Sequence, residues 1–332
     1  MSEIVVSQGS SRRIPWLSIG FYLAIVALGF AVPQTLVSAR IVHLCVLICI
    51  YGLLVYGLGF LYEAAGQLSV AHGALWGIGA YTTALLTLNA GWTFWICLPT
   101  AMVTAALFAG LLGYPSLRVK GHYFLIVTFA FAEILQTINT NWRGFTNGDT
   151  GLVIAVAPPP LGPISLQSRA DWLVFSFALL VLGIGVLAIL RRLPFGRRLS
   201  AIRENETLAR AAGVNTVRDK VLAFMISGAY AGAAGACWAY YQHYVNPHQF
   251  DSHSGIELIL MLLIGGIKTT LGPIVGVIVA ICLPDLFGFS AAQNEIALGV
   301  AFIAIILLMP EGIVTFAQKL IHRLRLINVR EL

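Results

Sequence analysis

The chain has 332 residues, of which 58% are hydrophobic and only 10% charged, with a mean hydropathy of +0.86. A soluble domain carries about 25% charged residues, so this composition excludes a water-covered globule and sets the class as an all-α polytopic membrane protein. The formal charge of +6 is gathered beside apolar runs, the distribution that the positive-inside effect produces. That placement excludes nucleic acid as the reason for the basic balance.

In chain order, Arg12 and Arg13 lead into a first apolar run at about residues 15–34. This run lacks a small-residue cleavage site and reads as an uncleaved helix rather than a signal peptide. Crossing the hydrocarbon takes about 20 apolar residues in a helix. Further runs near that length lie at about 40–62, 93–113, 122–142, 171–190, 218–241 and 293–310. Shorter or glycine-broken segments lie at about 69–88, 255–267 and 272–288. About ten segments, transmembrane or partly spanning, are therefore predicted in one domain over residues 1–332. Their five cysteines, Cys45, Cys49, Cys97, Cys237 and Cys282, all fall within apolar runs. An odd number without CxxC spacing argues against a disulfide framework or a metal site, and they read as small hydrophobes.

Positive charge orients the segments. If all ten cross, Arg12, Arg13, Arg118, Lys120, the region from Arg191 to Lys220, Lys319, Arg323, Arg325 and Arg330 fall on one side. That side is then the cytoplasm, with both termini there. Two short segments that re-enter on one side would leave the parity unchanged. The opposite face receives the segments 143–170 and 242–254. The first, with Gly144, Asn147, Gly148, Gly151 and Pro158 to Pro160, is predicted to be irregular. The second holds His243, His248 and His253 at five-residue spacing, which points to different helical faces and to solvated loop histidines rather than a metal site.

The segment Gly66-Gln67-Leu68-Ser69-Val70-Ala71-His72-Gly73 places polar groups where the chain enters the membrane. Gly73, Gly77, Ala80 and Ala84 follow small-xxx-small spacing, which lets helices approach closely in lipid. Two readings stay open, a packing seam with an irregular start or a broken helix beside a substrate path. Gly265, Gly266, Gly272 and Gly276 form a second glycine-broken pair. With ten crossings, segments 2–5 and 7–10 run in opposite senses, as inverted repeats do. Segment 122–142 carries Thr128, Glu133, Gln136 and Asn139. Glu133, near the bilayer midplane, should face the bundle interior with a partner, in a structural network, in contact with a solute, or as the proton site of a secondary carrier. Gly265-Gly266-Ile267-Lys268-Thr269-Thr270 looks like the end of a phosphate loop, but Ile267 replaces the glycine before the lysine and no strand precedes it. Nucleotide binding by this chain is rejected.

Residues Arg191 to Lys220 hold eight Lys or Arg and three Asp or Glu, a net charge of +5. Pro194 should end the preceding span. Leu199, Ile202, Ala209 and Ala212 then recur at helical spacing up to Gly213, which predicts one short amphipathic helix across the ends of the spans. Glu204, Asn205 and Glu206 make it a poor purely lipid-facing strip and suit a groove on another protein. The longest polar stretch is about thirty residues, too short for a core of its own. No HExxH or GxSxG is present, so neither a soluble catalytic domain nor an intramembrane enzyme is predicted.

Four stretches, Gly66–Leu86, Leu117–Glu133, Pro194–Gly213 and Glu257–Pro284, together resemble the permease subunits of ABC importers for branched-chain amino acids, of the LivM type. The likeness runs from about residue 40 to 310. It implies the inverted-repeat permease fold and a multi-pass protein of the bacterial inner membrane, passing branched-chain or related small amino acids. It also implies a loop at 191–217 whose coupling helix enters a cleft of an ATPase subunit, with Arg203, Glu204, Asn205, Glu206, Ala212 and Gly213 matching the motif. Gln67, Ser69, His72, Thr128 and Glu133 are the candidates for the translocation path, and 311–332 is a cytoplasmic tail. The implied partners are a second homologous permease, two ATPases, an external substrate-binding protein and membrane lipid. No cofactor belongs to this chain, since ATP and Mg are bound by the ATPases. Relatives often read SLGHAAF where this chain has Ser69 to Leu75, and GGLGS where it has Gly265 to Thr269. The first departure bears on the path and the second on subunit contacts.

Overall fold

The computed structural model of the protein describes residues 38–119, 121–160, 165–267 and 269–287, with scattered positions between 296 and 319. The expected first span at 15–34, Arg12, Arg13, Lys120, Lys268, and most of the expected span 293–310 and tail 311–332 lie outside the described residues. The described helices are α1 (Ala39–Ala65), α2 (Ala71–Ala90), α3 (Phe94–Ser116), α4 (His122–Asn141) and the short α5 (Arg143–Thr146). They continue with α6 (Arg169–Arg192), α7 (Pro194–Glu204), α8 (Glu206–Ala211), α9 (Thr216–Gln242), α10 (Ser252–Gly265) and α11 (Gly272–Phe287). In lipid a helix satisfies its own backbone, which is why apolar sequence of this length takes no other form. Among the described residues, α1, α3, α4, α6 and α9 are long and apolar enough to cross a membrane.

The core is built on α1 and α9. Each has 72% of its most apolar stretch buried, against 17% for α4, so α4 is peripheral in the isolated chain. The two central helices run antiparallel. His43 stacks on Tyr241 and Tyr51 meets the edge of Trp238, while Gly57 lies against Tyr230 and the Ser227 carbonyl. On its other sides α9 meets backbone. A side chain at Gly232 would overlap the Ala101 carbonyl, and one at Gly235 would overlap the Trp76 carbonyl. The facing stripe of α3 is Cys97, Ala101, Ala105, Ala109 and Gly113, every fourth residue and all buried. Four-residue spacing of small side chains makes one continuous groove along a helix.

The glycine-broken segments behave as a pair. α2 follows α1 at one end of the bundle and α10 follows α9 at the other, and their first turns meet inside it. A Cβ on Gly73 would come within 2.8 Å of the Asp251 carbonyl and the Gly255 nitrogen. A Cβ on Gly255 would overlap the Val70 carbonyl. α2 and α10 therefore run in opposite senses. Residues 66–70 are non-helical before α2 begins, and Gly73, Gly77 and Gly79 pack closely beyond that point, as the packing-seam reading expects.

Two expectations need correction. The single helix expected over Pro194–Gly213 is two helices, because Asn205 is extended at φ −155°, ψ 101° and its side chain caps α8 through the Leu208 N–H. Ala212, expected on the buried stripe, is exposed, whereas Leu199, Ile202 and Ala209 are buried. The segment 143–170 is not wholly irregular either. It carries α5 and the strand β1 (Leu152–Val153), which pairs antiparallel with β2 (Tyr244–Val245) and ties the two loops at that end together. Pro194 and Gly213 act as expected. Leu193 before the proline is extended and ends α6, and Gly213 adopts φ +85° after α8.

Because nothing can yield where two backbones touch, Gly232→Leu should cost about 1–3 kcal/mol or more by overpacking. In mild detergent the variant should melt well below the parent or fail to give a monodisperse peak. Gly185→Ala, where an added methyl meets nothing within 4 Å, should leave the melting temperature unchanged.

Candidate functional site

The polar residues preceding α2 form one cluster. Gly66 takes φ +66°, a backbone conformation that glycine adopts without penalty, and turns the chain inward. The Gln67 side chain donates to the Val119 carbonyl at 3.1 Å, and the Val70 N–H donates to Thr128 Oγ1 at 3.2 Å. Thr128, on α4, thereby serves one of the open N–H groups beside the helix start. His72 Nε2 shares a hydrogen bond with Ser227 Oγ at 2.5 Å, and Ser227 Oγ donates to the Gly57 carbonyl at 2.6 Å. One relay thus joins α2, α9 and α1. Gln67, Ser69, His72 and Thr128 are all buried. Gln67 Oε1 and Ser69 Oγ have no hydrogen-bond partner among the described residues.

Glu133 stands apart from this cluster. It lies eleven residues into α4, about 16 Å along the helix at 1.5 Å per residue, and accepts from Ser252 Oγ at 2.5 Å. Its partner is thus the first residue of α10, whose next turn carries His253 and Glu257, 3.9 Å apart. Beside them a cavity of about 210 Å³ is walled by Leu260, Met261, Ile264 and Ala280. The sequence reading missed Ser252 and Glu257 and placed His253 in a solvated loop. The available signal was a second carboxylate in an apolar run, the feature that singled out Glu133. The other two histidines have separate partners: His243 Nδ1 faces the Ile154 carbonyl, and His248 Nε2 pairs with Asp149 at 2.6 Å. Among the described residues, no three His, Cys, Asp or Glu side chains gather where a metal ion could be held.

At the basic end, α7 and α8 are bolted to the central helices. Arg191, at the end of α6, pairs with Glu63 of α1 at 2.7 Å, and the Arg203 guanidinium lies 5.6 Å from the centre of the Tyr62 ring. Arg198 pairs with buried Asp219 at 2.6 Å, and buried Lys220 with Glu206 at 2.9 Å. Glu206 also accepts from Arg210. Of the motif residues, Arg203, Glu204, Asn205, Ala212 and Gly213 are exposed, whereas Glu206 is turned inward and spent on these pairs. Leu208 was missed by sequence reasoning. It is 68% exposed on the face of α8 opposite Glu206 and Arg210, an apolar knob in a polar surround. Its bulk beside Ala209 and Ala211 was visible in the sequence, but its direction was not.

Residues 40–309 match the family described as "Branched-chain amino acid transport system / permease component". The chain belongs to that family. The permease is 31% identical to the high-affinity branched-chain amino acid transport system permease protein LivM of Escherichia coli K12, over 90% of this chain and 75% of that one. It is 25% identical to the LivH permease of Salmonella typhimurium, over 79% of this chain and 90% of the relative. A probable LivM permease of Methanocaldococcus jannaschii shares 27% over 60% of each chain. No solved structure matches. Family and apolar helices together make this a multi-pass membrane permease.

The inward ion pairs hold α8 in place. Lys220→Met should loosen α8 without unfolding the spans, raising tryptic cleavage after Arg203 and Arg210 by roughly tenfold, the factor that about 1.4 kcal/mol of local opening gives. Cleavage unchanged from the parent would show that the Lys220–Glu206 pair does not restrain the element.

Proposed function

We propose that this permease is half of the membrane pathway of an ATP-driven importer, with LivM-like placement beside a LivH-like second permease. The observation that carries the reading is the α7–α8 element. It is fixed inward to α1 and α9 and presents Glu204, Asn205, Leu208 and Ala212 outward. A partner that moves this surface moves the two core helices with it. The basic end is read as cytoplasmic, since Arg118, Arg191, Arg192, Arg197, Arg203 and Lys319 gather there by sequence. Two ATPase subunits then dock on α7 and α8, bind the ATP and Mg, and do the hydrolysis. The opposite loops, joined by β1 and β2, receive solute from a soluble binding protein in the periplasm or outside the cell. In this reading both termini are cytoplasmic, and the cargo is a branched-chain amino acid or a related small solute, as the names of the relatives indicate.

The acid–histidine set at the start of α10 favours the solute path over the buried α2 cluster. His253 and Glu257 are partly or well exposed and line an apolar cavity, and the Glu133–Ser252 pair at the start of the same helix is part-exposed, whereas Ser69, His72 and Thr128 are sealed inside. An amino acid carries an ammonium group that a carboxylate at mid-depth can meet, and a branched side chain that Leu260 and Ile264 can accept.

Co-purification from cells expressing the whole transporter tests the docking claim. Leu208→Asp should strip the nucleotide-binding subunits from the tagged permease while its melting temperature in detergent stays within a degree or two of the parent. Unchanged subunit retention would remove α8 as the docking surface. Glu133→Gln separates this mechanism from a proton-coupled carrier, because glutamine keeps an acceptor for Ser252 but cannot carry the charge. ATP-driven uptake in proteoliposomes of the complex should persist within about tenfold in that variant. Uptake by the chain alone, driven by a pH gradient and abolished by Glu133→Gln, would overturn the importer reading.

A further inference from the structure

α3 and α9 touch through small residues and splay where those residues stop. Ala101, Ala105 and Ala109 lie against Gly228 and Gly232, but nearer the basic end the facing side chains are Tyr114 and Leu117 on one side and Val221 and Leu222 on the other. The splay opens a groove of about 830 Å³. Its polar lining is Arg118, Arg210, Arg218, Asn215 and Glu206. The one carboxylate is already held by Lys220 and Arg210, so the lining keeps an excess of positive charge. Arg118 sits over the Tyr114 ring at 4.6 Å, two residues beyond the last residue of α3. The groove also opens sideways. Tyr114 is 57% exposed and continues an exposed stripe through Leu111 and Leu107, at 72% and 58%.

We propose that this groove binds one membrane phospholipid with an anionic headgroup. Its phosphate lies between Arg118 and Arg218, and an acyl chain runs along Tyr114, Leu111 and Leu222. Charge complementarity selects an anion, and basic pockets at the ends of membrane helices are suited to such headgroups. The occupant is a lipid rather than a segment of a soluble protein because the apolar wall continues along the length of a membrane-crossing helix. A water-borne partner could cover only its end. The lipid would bridge the end of α3 to the start of α9 beside α8, bracing the joint on which the coupling element is mounted. The inference rests on the permease lying in a bilayer and not on the ATP-driven reading.

Native mass spectrometry of the purified permease in a neutral detergent tests it, with phosphatidylglycerol and phosphatidylcholine titrated in parallel and inorganic phosphate and glycerol 3-phosphate as soluble controls. Phosphatidylglycerol should bind in preference to phosphatidylcholine. Arg118→Gln and Arg218→Gln should each weaken it by roughly fivefold, the factor expected for one cation near an anionic lipid surface. Tyr114→Ala should weaken it with no change of charge. Both arginines are exposed, so the parent melting temperature in the Arg118→Gln/Arg218→Gln double variant is the control for folding. Equal retention of the two lipids, or equal retention of phosphatidylglycerol by parent and double variant, overturns the proposal. Competition by inorganic phosphate at the lipid's own concentration overturns it in favour of a soluble anion site. Loss of a co-purifying soluble subunit from the double variant, with lipid retention unchanged, overturns it in favour of a protein contact.

Discussion

Backbone contact along α9 is the constraint from which the rest of this architecture follows. Lipid tails are as apolar as leucine, so helices in a bilayer gain little from burying apolar side chains against one another. They associate through close van der Waals approach and interhelical hydrogen bonds. Gly228, Gly232 and Gly235 remove the side chains that would hold α2 and α3 away, and both helices close to backbone distance on different sides of α9. Interhelical hydrogen bonds then become possible at specific depths. The His72–Ser227–Gly57 relay spans three helices at one level, and Tyr230 donates to the Gly183 carbonyl at 2.6 Å, adding α6. Thr87 meets the Tyr240 hydroxyl at 2.9 Å toward the other end. Once α9 is fixed against α1, α2, α3 and α6 in this way, it can serve as a strut.

A strut matters only if something pushes on it, and the charges at its basic end show where the push would enter. Asp219 and Lys220 sit in the first turns of α9, nearly buried, one taking Arg198 from α7 and the other Glu206 from α8. An acid near a helix start is favoured by the helix dipole, so Asp219 is well placed on its own helix as well as across the contact. The neighbouring pair between Arg191 and Glu63 ties the end of α6 to α1, and Arg203 of α7 lies over the Tyr62 ring of α1. α7 and α8 are therefore held at several points by groups whose separation would leave the buried charges of Asp219 and Lys220 uncompensated. Lipid contact alone would not require buried acids. Rigid attachment to α1 and α9 does.

Much of this architecture could be read from the chain because membrane sequence is constrained at two simple levels, run length and spacing of small residues. The spans of α1, α3, α4, α6 and α9, the close approach at Gly73 and Gly77, and the opposed halves all follow from those patterns. The break at Asn205 does not, because the apolar rhythm of Leu199, Ile202 and Ala209 continues across it. Only the capping preference of asparagine marked the second helix start. The β1–β2 pairing joins residues about ninety positions apart through two-residue strands, below any periodicity signal. The role of Glu257 was hidden because its depth depends on where α10 begins, and that is set by the Asp251 side chain capping Ser254. Leu208 shows a related limit: a leucine on a short helix is core or knob according to which side the tertiary structure covers.

The meeting of α2 and α10 carries an unresolved energetic tension that bears on function. Two helix starts facing one another deep in a bundle leave N–H groups without partners in either helix, and their like-signed dipole ends repel. Thr128 serves Val70 on one side, and Asp251 serves Ser254 on the other. The glycines at 73 and 255 let the chains close over what remains. Even so, Gln67 Oε1 and Ser69 Oγ stay buried and unmatched among the described residues, each at a cost on the order of 1–3 kcal/mol. The α3–α9 contact has no such debt, since its interface is alanine against glycine. Strain and stability are therefore separated in space: the strut is satisfied, and the start of α2 is not. Admitting water or a polar solute there would recover part of the cost, whereas opening α3 from α9 would recover nothing.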